Sequence, residues 1–491
     1  MKRIILLSIA ALPFVNEVFA QNEFDALRYS NLDYYGDARF NAMGGSFGAL
    51  GANMSGLSIN PGGIGVYKSS DFSFTPAFHY NYSESNYKGN LSTDGKLNFH
   101  FANIGLVGTW KASGNWESFN FGLGYNRTSN YNTSITVNGN TDSSALSNFT
   151  NELNAGGGTF ETDISSFYPF SSNLAYQTYL VNPLLSDSTQ YNHVFSNSSN
   201  IKQRTTYETR GGSGEVYFAM GGNYNDRLYL GATIGIPTVR YVYDRTYTET
   251  ADESDTLTLA KSYSMHDYVK TSGAGVNFKL GLIYKVVDWF RIGTAFHTPT
   301  VYSLRDNYET IINSEMKDGA TFEERSPYGT FDYYVTTPYR FITSGSIIMG
   351  NHGVLNVDYE IVDYSSARLK EDNYTYGGGS GADFSPENQN IRSNFVLTQN
   401  LRVGTEWRLD PFRIRAGYRY NGNPLDSRFN NDYGSSTYSL GFGIKEDDYY
   451  FDMAYALKMQ ENDVNVNVEQ AEFANTTLKN HYITFTLGFR F

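Results

Sequence analysis

Where a cation recurs in the polar phase of an alternating segment, chemistry becomes possible. Lys279, Lys285, Arg291, Arg402, Arg408, Arg413, Arg415 and Arg419 all stand at such positions. A guanidinium presents paired N–H donors that match a carboxylate, and an ammonium presents a compact charge. Lys279, Arg402, Arg415 and Arg419 are therefore the candidate contacts for the carboxylate of a bound small molecule. Arg291, Arg408 and Arg413 adjoin short turns and belong to a rim rather than to a central pocket. A competing reading pairs the same cations with acidic residues of the chain itself, Glu406 and Asp37 among them, to fill a polar interior.

Other chemistries lack their residues. The chain has no cysteine, which removes disulfides, thiolate metal sites, cysteine nucleophiles and a lipid-modified cysteine. His79, His100, His193, His266, His297, His352 and His481 show no metal-ligand spacing and no recognisable Ser-His or Asp-His constellation. No metal, cofactor or catalytic residue is assigned, and an enzyme is not expected. The glycines from Gly44 to Gly51 follow no strand and lack the G-x-G-x-x-G order of a dinucleotide loop. Glu249, Asp252, Glu253 and Asp255 form an acidic run without EF-hand spacing, read as a solvated loop with calcium binding as the alternative. A formal charge of −13 argues against a nucleic-acid partner.

The elements that must position the cations are strands. From position 71 onward apolar and polar residues alternate with period two, the pattern of a strand with one apolar and one polar face. The pattern predicts strands over 71–82, 96–110, 118–126, 215–224, 228–243, 274–286, 289–304, 339–349, 354–364, 394–409, 412–420, 435–445, 449–457 and 480–491. That makes about fourteen, an even number as in bacterial outer-membrane barrels. Connections sort by parity: tight at 225–226, 287–288, 350–353, 410–411 and 446–448, long at 244–272, 305–338, 367–393, 421–434 and 458–479. Short turns on one side and long extracellular loops on the other belong to a transmembrane barrel. An aromatic content of 16%, with 41 Tyr, fits the aromatic girdles of such a wall. The stretch 127–213, rich in Ser, Asn, Thr and Gly, reads as a long extracellular loop with local helix near 144–153. In the second strand the phase slips near Ala102-Asn103, where a β-bulge is expected, and Pro76 marks an irregularity in the first.

Ahead of the strands the period differs. Over 37–65 the larger apolar residues Phe40, Met43, Phe47, Leu50, Met54 and Leu57 are spaced alternately three and four apart, one face of a helix. Frequent glycines break this into short turns, and Asn60-Pro61-Gly62-Gly63 ends it. The segment 21–70 is thus expected to form a hatch in the lumen, with Phe40, Met43, Phe47 and Leu50 as its apolar face and Asn60, Pro61, Gly62 and Gly63 as the turn into the first strand. Residues 1–20 read as a cleaved export signal: Lys2 and Arg3 precede an apolar run, and Val18-Phe19-Ala20 supplies the cleavage pattern.

Several motifs, in order, resemble the FadL family of outer-membrane transporters for long-chain fatty acids and other hydrophobic compounds. They are Ala42-Met43-Gly44-Gly45, Ser58-Ile59-Asn60-Pro61-Gly62-Gly63, Arg291-Ile292-Gly293 with His297-Thr298-Pro299, Arg402-Val403-Gly404-Thr405-Glu406-Trp407, and Arg415-Ala416-Gly417-Tyr418-Arg419-Tyr420 with Asn423-Pro424. Gly62 stands where the family usually has alanine, and 127–213 lies outside the resemblance. The resemblance implies a fourteen-stranded all-β barrel with an N-terminal hatch, often with a lateral opening beside a kinked third strand. It further implies a monomer in the bacterial outer membrane that passively takes up a hydrophobic small molecule or fatty acid and releases it sideways into membrane lipid. The last strand, ending on outward Phe491, resembles the segment read by the barrel-assembly machinery. The bulged second strand and Gly122 and Gly124 in the third are candidate wall defects, or ordinary barrel curvature. The alternative function is a structural or adhesive barrel whose extracellular loops bind a partner.

Overall fold

The computed structural model describes residues 22–195, 200–371, 383–429, 432–467 and 472–491. The export signal read at 1–20 and the glycine-rich stretch 377–381 lie outside these residues. Among the described residues, fourteen strands form the wall: β1 (Asp71–Tyr87), β2 (Asn90–Lys111), β3 (Trp116–Asn130), β4 (Ile201–Tyr224), β5 (Leu228–Thr250), β6 (Ala260–Val287), β7 (Phe290–His297), β8 (Arg340–Met349), β9 (Gly353–Asp363), β10 (Leu397–Leu409), β11 (Phe412–Asn421), β12 (Ser435–Lys445), β13 (Tyr449–Asn467) and β14 (Glu472–Arg490). Each pairs antiparallel with its neighbours, and β14 closes on β1 from Asp71↔Arg490 to Asn86↔Asn475. Closure pairs every strand with two neighbours, the condition for placing strands in lipid, although β2 and β3 pair over only part of their length.

Alternation decides which face meets lipid. On β14, Ile483, Leu487 and Phe489 point outward and are exposed, whereas Thr484 and Thr486 are buried in the lumen. The same outward apolar band runs over Phe99, Phe121, Phe218, Ile234, Leu280, Phe296, Phe341, Trp407 and Leu440. Ala102 is the extra residue of the expected bulge: Thr75 pairs with Asn103 and Pro76 with Phe101, leaving Ala102 unopposed.

The strands are longer than alternation alone predicts. β4 starts at Ile201 rather than 215, and 244–272, 305–338 and 458–479 are largely ladders, including Val301–Met316 paired with β6. Beyond the lipid the outward side chains meet water, so Thr206, Asp244 and Thr248 replace the apolar residues. The hydropathy period then fades while the backbone pairing continues. Within 127–213 the expected helix lies at Leu146–Asn154. It joins Glu161–Phe167, Ser172–Gln177 and the Val181–Leu184/Asp187–His193 hairpin over a core of Leu146, Phe149, Leu153, Leu174 and Val181, packed on Tyr247, Tyr263 and Ile312. The stretch is a folded cap, not one loop. Glu249 of the acidic run is buried against it, accepting from Ser144 Oγ at 2.5 Å and the Ala145 amide at 2.8 Å. Among the described residues no group of three metal-ligating side chains occurs.

The hatch comprises α1 (Glu23–Ser30), α2 (Ala38–Ala42) and two 3₁₀ turns, Ser55–Ser58 and Pro61–Val66. Asn22 caps α1, and Asp37 caps α2 by accepting from the Phe40 amide at 2.9 Å. Phe40, Met43, Phe47 and Leu50 are all buried and share one cluster with Ala295, Ile342 and Val354 of the wall. Burying each such side chain stabilises the seat by about 1.5–3 kcal/mol.

Candidate functional site

The hatch turn is fixed by hydrogen bonds and by missing side chains. Asn60 Oδ1 accepts from the Gly62 amide at 2.9 Å, and its Nδ2 donates to the Leu282 carbonyl of β6 at 3.0 Å. Around the wall, Gly231, Gly281, Gly293, Gly404 and Gly417 lie directly against hatch backbone or the Asn60 side chain. A Cβ on any of them would fall inside van der Waals contact with Pro61, Asn60, Gly48, Met43 or Gly44 respectively. Two hatch amides, Phe47 and Gly48, donate to Asp358 at 2.9 and 3.0 Å. Gly281→Val should therefore lift the turn from the wall and expose 60–65 to protease, with a cost of about 1–3 kcal/mol for overpacking. Gly345→Val, whose added Cβ would make only an ordinary contact with the Phe290 ring at 3.8 Å, should leave the protease pattern of the folded barrel unchanged; equal cleavage of both variants would refute the seating.

The four candidate carboxylate contacts already hold partners. Arg402 pairs with Glu360 at 2.5 Å, and Glu360 also accepts from Arg340 at 2.5 Å. Arg415 bridges Glu406 at 2.7 Å and Asp452 at 2.6 Å, and Arg39 of the hatch reaches Glu406 at 2.7 Å. Lys279 pairs with Glu215. Arg419 donates to the hatch carbonyls of Asp33 and, at 3.1 Å, Gly44. The competing reading describes the lumen better, with one change: Asp37 serves as a helix cap, not as an ion-pair partner. Lys458 of β13 holds Asp33 at 2.7 Å. Burial would raise the Asp33 carboxyl, but the Lys458 ammonium and Arg419 outweigh it and keep it below the usual carboxylate range, so this hatch tie persists into mild acid.

The wall itself has a gap that alternation did not disclose. β2 pairs with β3 only from Asn103↔Asn126 to Lys111↔Ser118. Beyond it, β2 pairs with β1 alone, while β3 bulges between Arg127 and Ser129 and follows β4. The next strand, Thr133–Thr141, then lies on the lumenal face of β1 and β2: Ser83 Oγ donates to the Ser134 carbonyl at 2.8 Å and Thr136 Oγ1 to Asp94 at 2.8 Å. Backbone groups that lost β2 must pair elsewhere. The hatch supplies the partners: the amides of Asp33 and Tyr35 donate to the carbonyls of Thr128 and Arg127, both at 2.9 Å.

Two cavities flank this kink. On the lumen side, about 340 Å³ is enclosed by Phe24, Leu27 and Arg28 of α1 with Ser129, Tyr131, Tyr241 and Tyr433. On the other side, a crevice of about 370 Å³ is lined by Asn98 and His100 from the inner face of β2 and by Arg127, Arg210 and Arg240 from the outer faces of β3, β4 and β5. The crevice thus lies between inner-face residues of one strand and outer-face residues of the next, at the level where β2 and β3 are unpaired. Residues 127–133 line both cavities and separate them. The signal for this in the sequence is slight: alternation stops at Arg127, and Gly211-Gly212 opposes it. Gly211 adopts φ +111°, a conformation that favours glycine, and its carbonyl accepts from Arg127 Nη2 at 2.7 Å and Asn132 Nδ2 at 3.0 Å.

No protein-family profile and no curated protein matches the sequence. Among solved structures, a FadL homologue from Pseudomonas aeruginosa is similar with a TM-score of 0.54 at 13% identity, over 92% of this chain and 98% of that one. The toluene transporter TodX of Pseudomonas putida is similar with a TM-score of 0.53 at 13% identity, over 94% of this chain and 99% of that one. This chain has the FadL fold, a fourteen-stranded barrel of bacterial outer-membrane type closed by an N-terminal hatch.

Proposed function

We propose that this barrel passively carries hydrophobic small molecules, long-chain fatty acids or monoaromatic hydrocarbons, from outside the cell into the outer membrane. The long-connection end faces outward, and exit is lateral. The observation that carries this reading is the crevice at the unpaired stretch of β2 and β3, which opens beside outward Phe99 and Phe101 at the edge of the apolar band and adjoins a lumenal cavity rich in aromatic side chains. A hydrophobic cargo gains about 25 cal/mol for each Å² of apolar surface it keeps from water, so leaving into hydrocarbon is favoured over crossing a plugged, polar lumen. A FadL homologue and a toluene transporter share this fold, which supports the cargo class.

Because the chain lacks cysteine, the route can be blocked after folding. With Asn98→Cys in proteoliposomes, a bulky maleimide should reduce uptake of labelled oleate and labelled toluene to the level of protein-free vesicles. The same reagent on Ser254→Cys, in the β5–β6 connection, should not. Undiminished uptake through alkylated Asn98→Cys would sink the lateral route, and a block of one cargo alone would name the other as a non-substrate of this path.

A further inference from the structure

The crevice carries more polar equipment than an exit for a greasy cargo needs. His100 is 7% exposed, yet both of its ring nitrogens lack a hydrogen-bond partner. Arg127 Nε and Asn98 Oδ1 are likewise buried without a partner. Among the described residues, Arg127 and Arg240 join no ion pair, and Arg210 pairs with Asp244 at 3.3 Å and Glu208 at 3.8 Å while remaining half exposed. No acidic side chain lines the crevice. Buried donors left unmatched cost stability, and two guanidinium groups without an ion pair at one opening, Arg127 and Arg240, favour an anion there in a chain of charge −13.

Height within the wall indicates which anion. On β5 the outward face runs through Ile234 and Ile236, then changes to Thr238 and Arg240; on β4 it runs through Phe218 and Val216, then changes to Gly214, Gly212 and Arg210. The arginines thus sit where the apolar band ends on the long-connection side, the level of lipid headgroups. Across the crevice, Leu97, Phe99 and Phe101 of β2 present an apolar track beside the gap. A phosphate on the arginines with an acyl chain on this track satisfies both surfaces at once. Guanidinium forks also match phosphate oxygens in pairs.

We propose that the crevice binds the phosphate of an outer-leaflet lipid, with Arg127, Arg240 and His100 as its contacts, and that the lipid's acyl chain covers the gap until cargo displaces it. The proposal rests on the orientation and lateral opening read above. The test is lipid retention by the full-length protein in mild detergent, followed by native mass spectrometry with two probes, bisphosphorylated lipid A and its phosphate-free form. The wild type should retain the phosphorylated probe at least about tenfold better, a ratio worth about 1.4 kcal/mol. Arg127→Gln/Arg240→Gln should abolish the preference, and Lys202→Gln/Arg204→Gln, with the same charge loss on β4 outside the crevice, should keep it. Equal retention of the two probes by the wild type would overturn the proposal without recourse to any variant. So would loss of the preference in both double variants. Oleate displacing phosphorylated lipid A from the wild type, but failing to bind Arg127→Gln/Arg240→Gln, would assign the site to a cargo carboxylate instead and also overturn it. If the Asn98 alkylation blocks uptake while no phosphate preference is found, lateral exit stands and the lipid site falls; the reverse pattern removes the exit and keeps the site.

Discussion

Deleting 37–58 is expected to turn a nearly closed barrel into an ion-conducting one without dismantling its wall. The strands pair with one another around the full circle, and none of their ladder bonds runs through this part of the hatch. What the deletion removes is the apolar face formed by Phe40, Met43, Phe47 and Leu50, the Arg39 contact to Glu406, and the two amides donated to Asp358. Glu406 keeps Arg415, so no carboxylate of that pair is stranded. The truncated protein should still assemble and resist heat in detergent, while planar bilayers containing it conduct steadily and those containing the full chain do not. Matching conductance from the two folded proteins would place the segment outside the ion path.

Replacing Glu360 should be the costliest single change in the lumen. This carboxylate serves Arg340 and Arg402 at 2.5 Å each and accepts from Asn400 at 3.1 Å. Arg402 already has Nε and Nη1 without partners, so Glu360 is its one ionic contact among the described residues. Glu360→Ala strands two buried guanidinium groups, and removing one member of a buried pair costs about 3–5 kcal/mol. Denaturant unfolding in detergent measures the loss. Glu360→Leu combined with Arg402→Leu should recover part of it, because the remaining Arg340 also donates to the Ser30 carbonyl. A loss below about 1 kcal/mol for Glu360→Ala, the range of exposed ion pairs, would mean that water screens this site.

The sequence discloses what local periodicity controls. Outward Leu487 and Phe489, the bulge at Ala102 and the buried face of Phe40 to Leu50 follow from spacing alone, since each is set by neighbours two to four residues away. The hatch turn is equally legible in Asn60-Pro61. The partners of the cations are not: Arg402 meets Glu360 and Lys279 meets Glu215 across strands, and nothing in one strand's pattern encodes its neighbour's register. α1 is missed because eight residues are too short a run for a helical period to stand out. The wall gap is missed for a different reason. It is an absence of pairing between β2 and the chain after Asn126, and alternation in β2 continues unchanged through Leu97 and Phe99.

The glycine seat of the hatch has a mechanical consequence. Where Gly231, Gly281, Gly293, Gly404 and Gly417 meet the plug, the contact has almost no side chains in it, so no rotamer can swing aside to open a narrow passage. Slight loosening at one glycine is resisted by the others, which touch the same short stretch of main chain. Opening through this seat is therefore all-or-none: single-channel records of the intact protein should show long silence broken by rare, full-sized events rather than a continuum of small leaks.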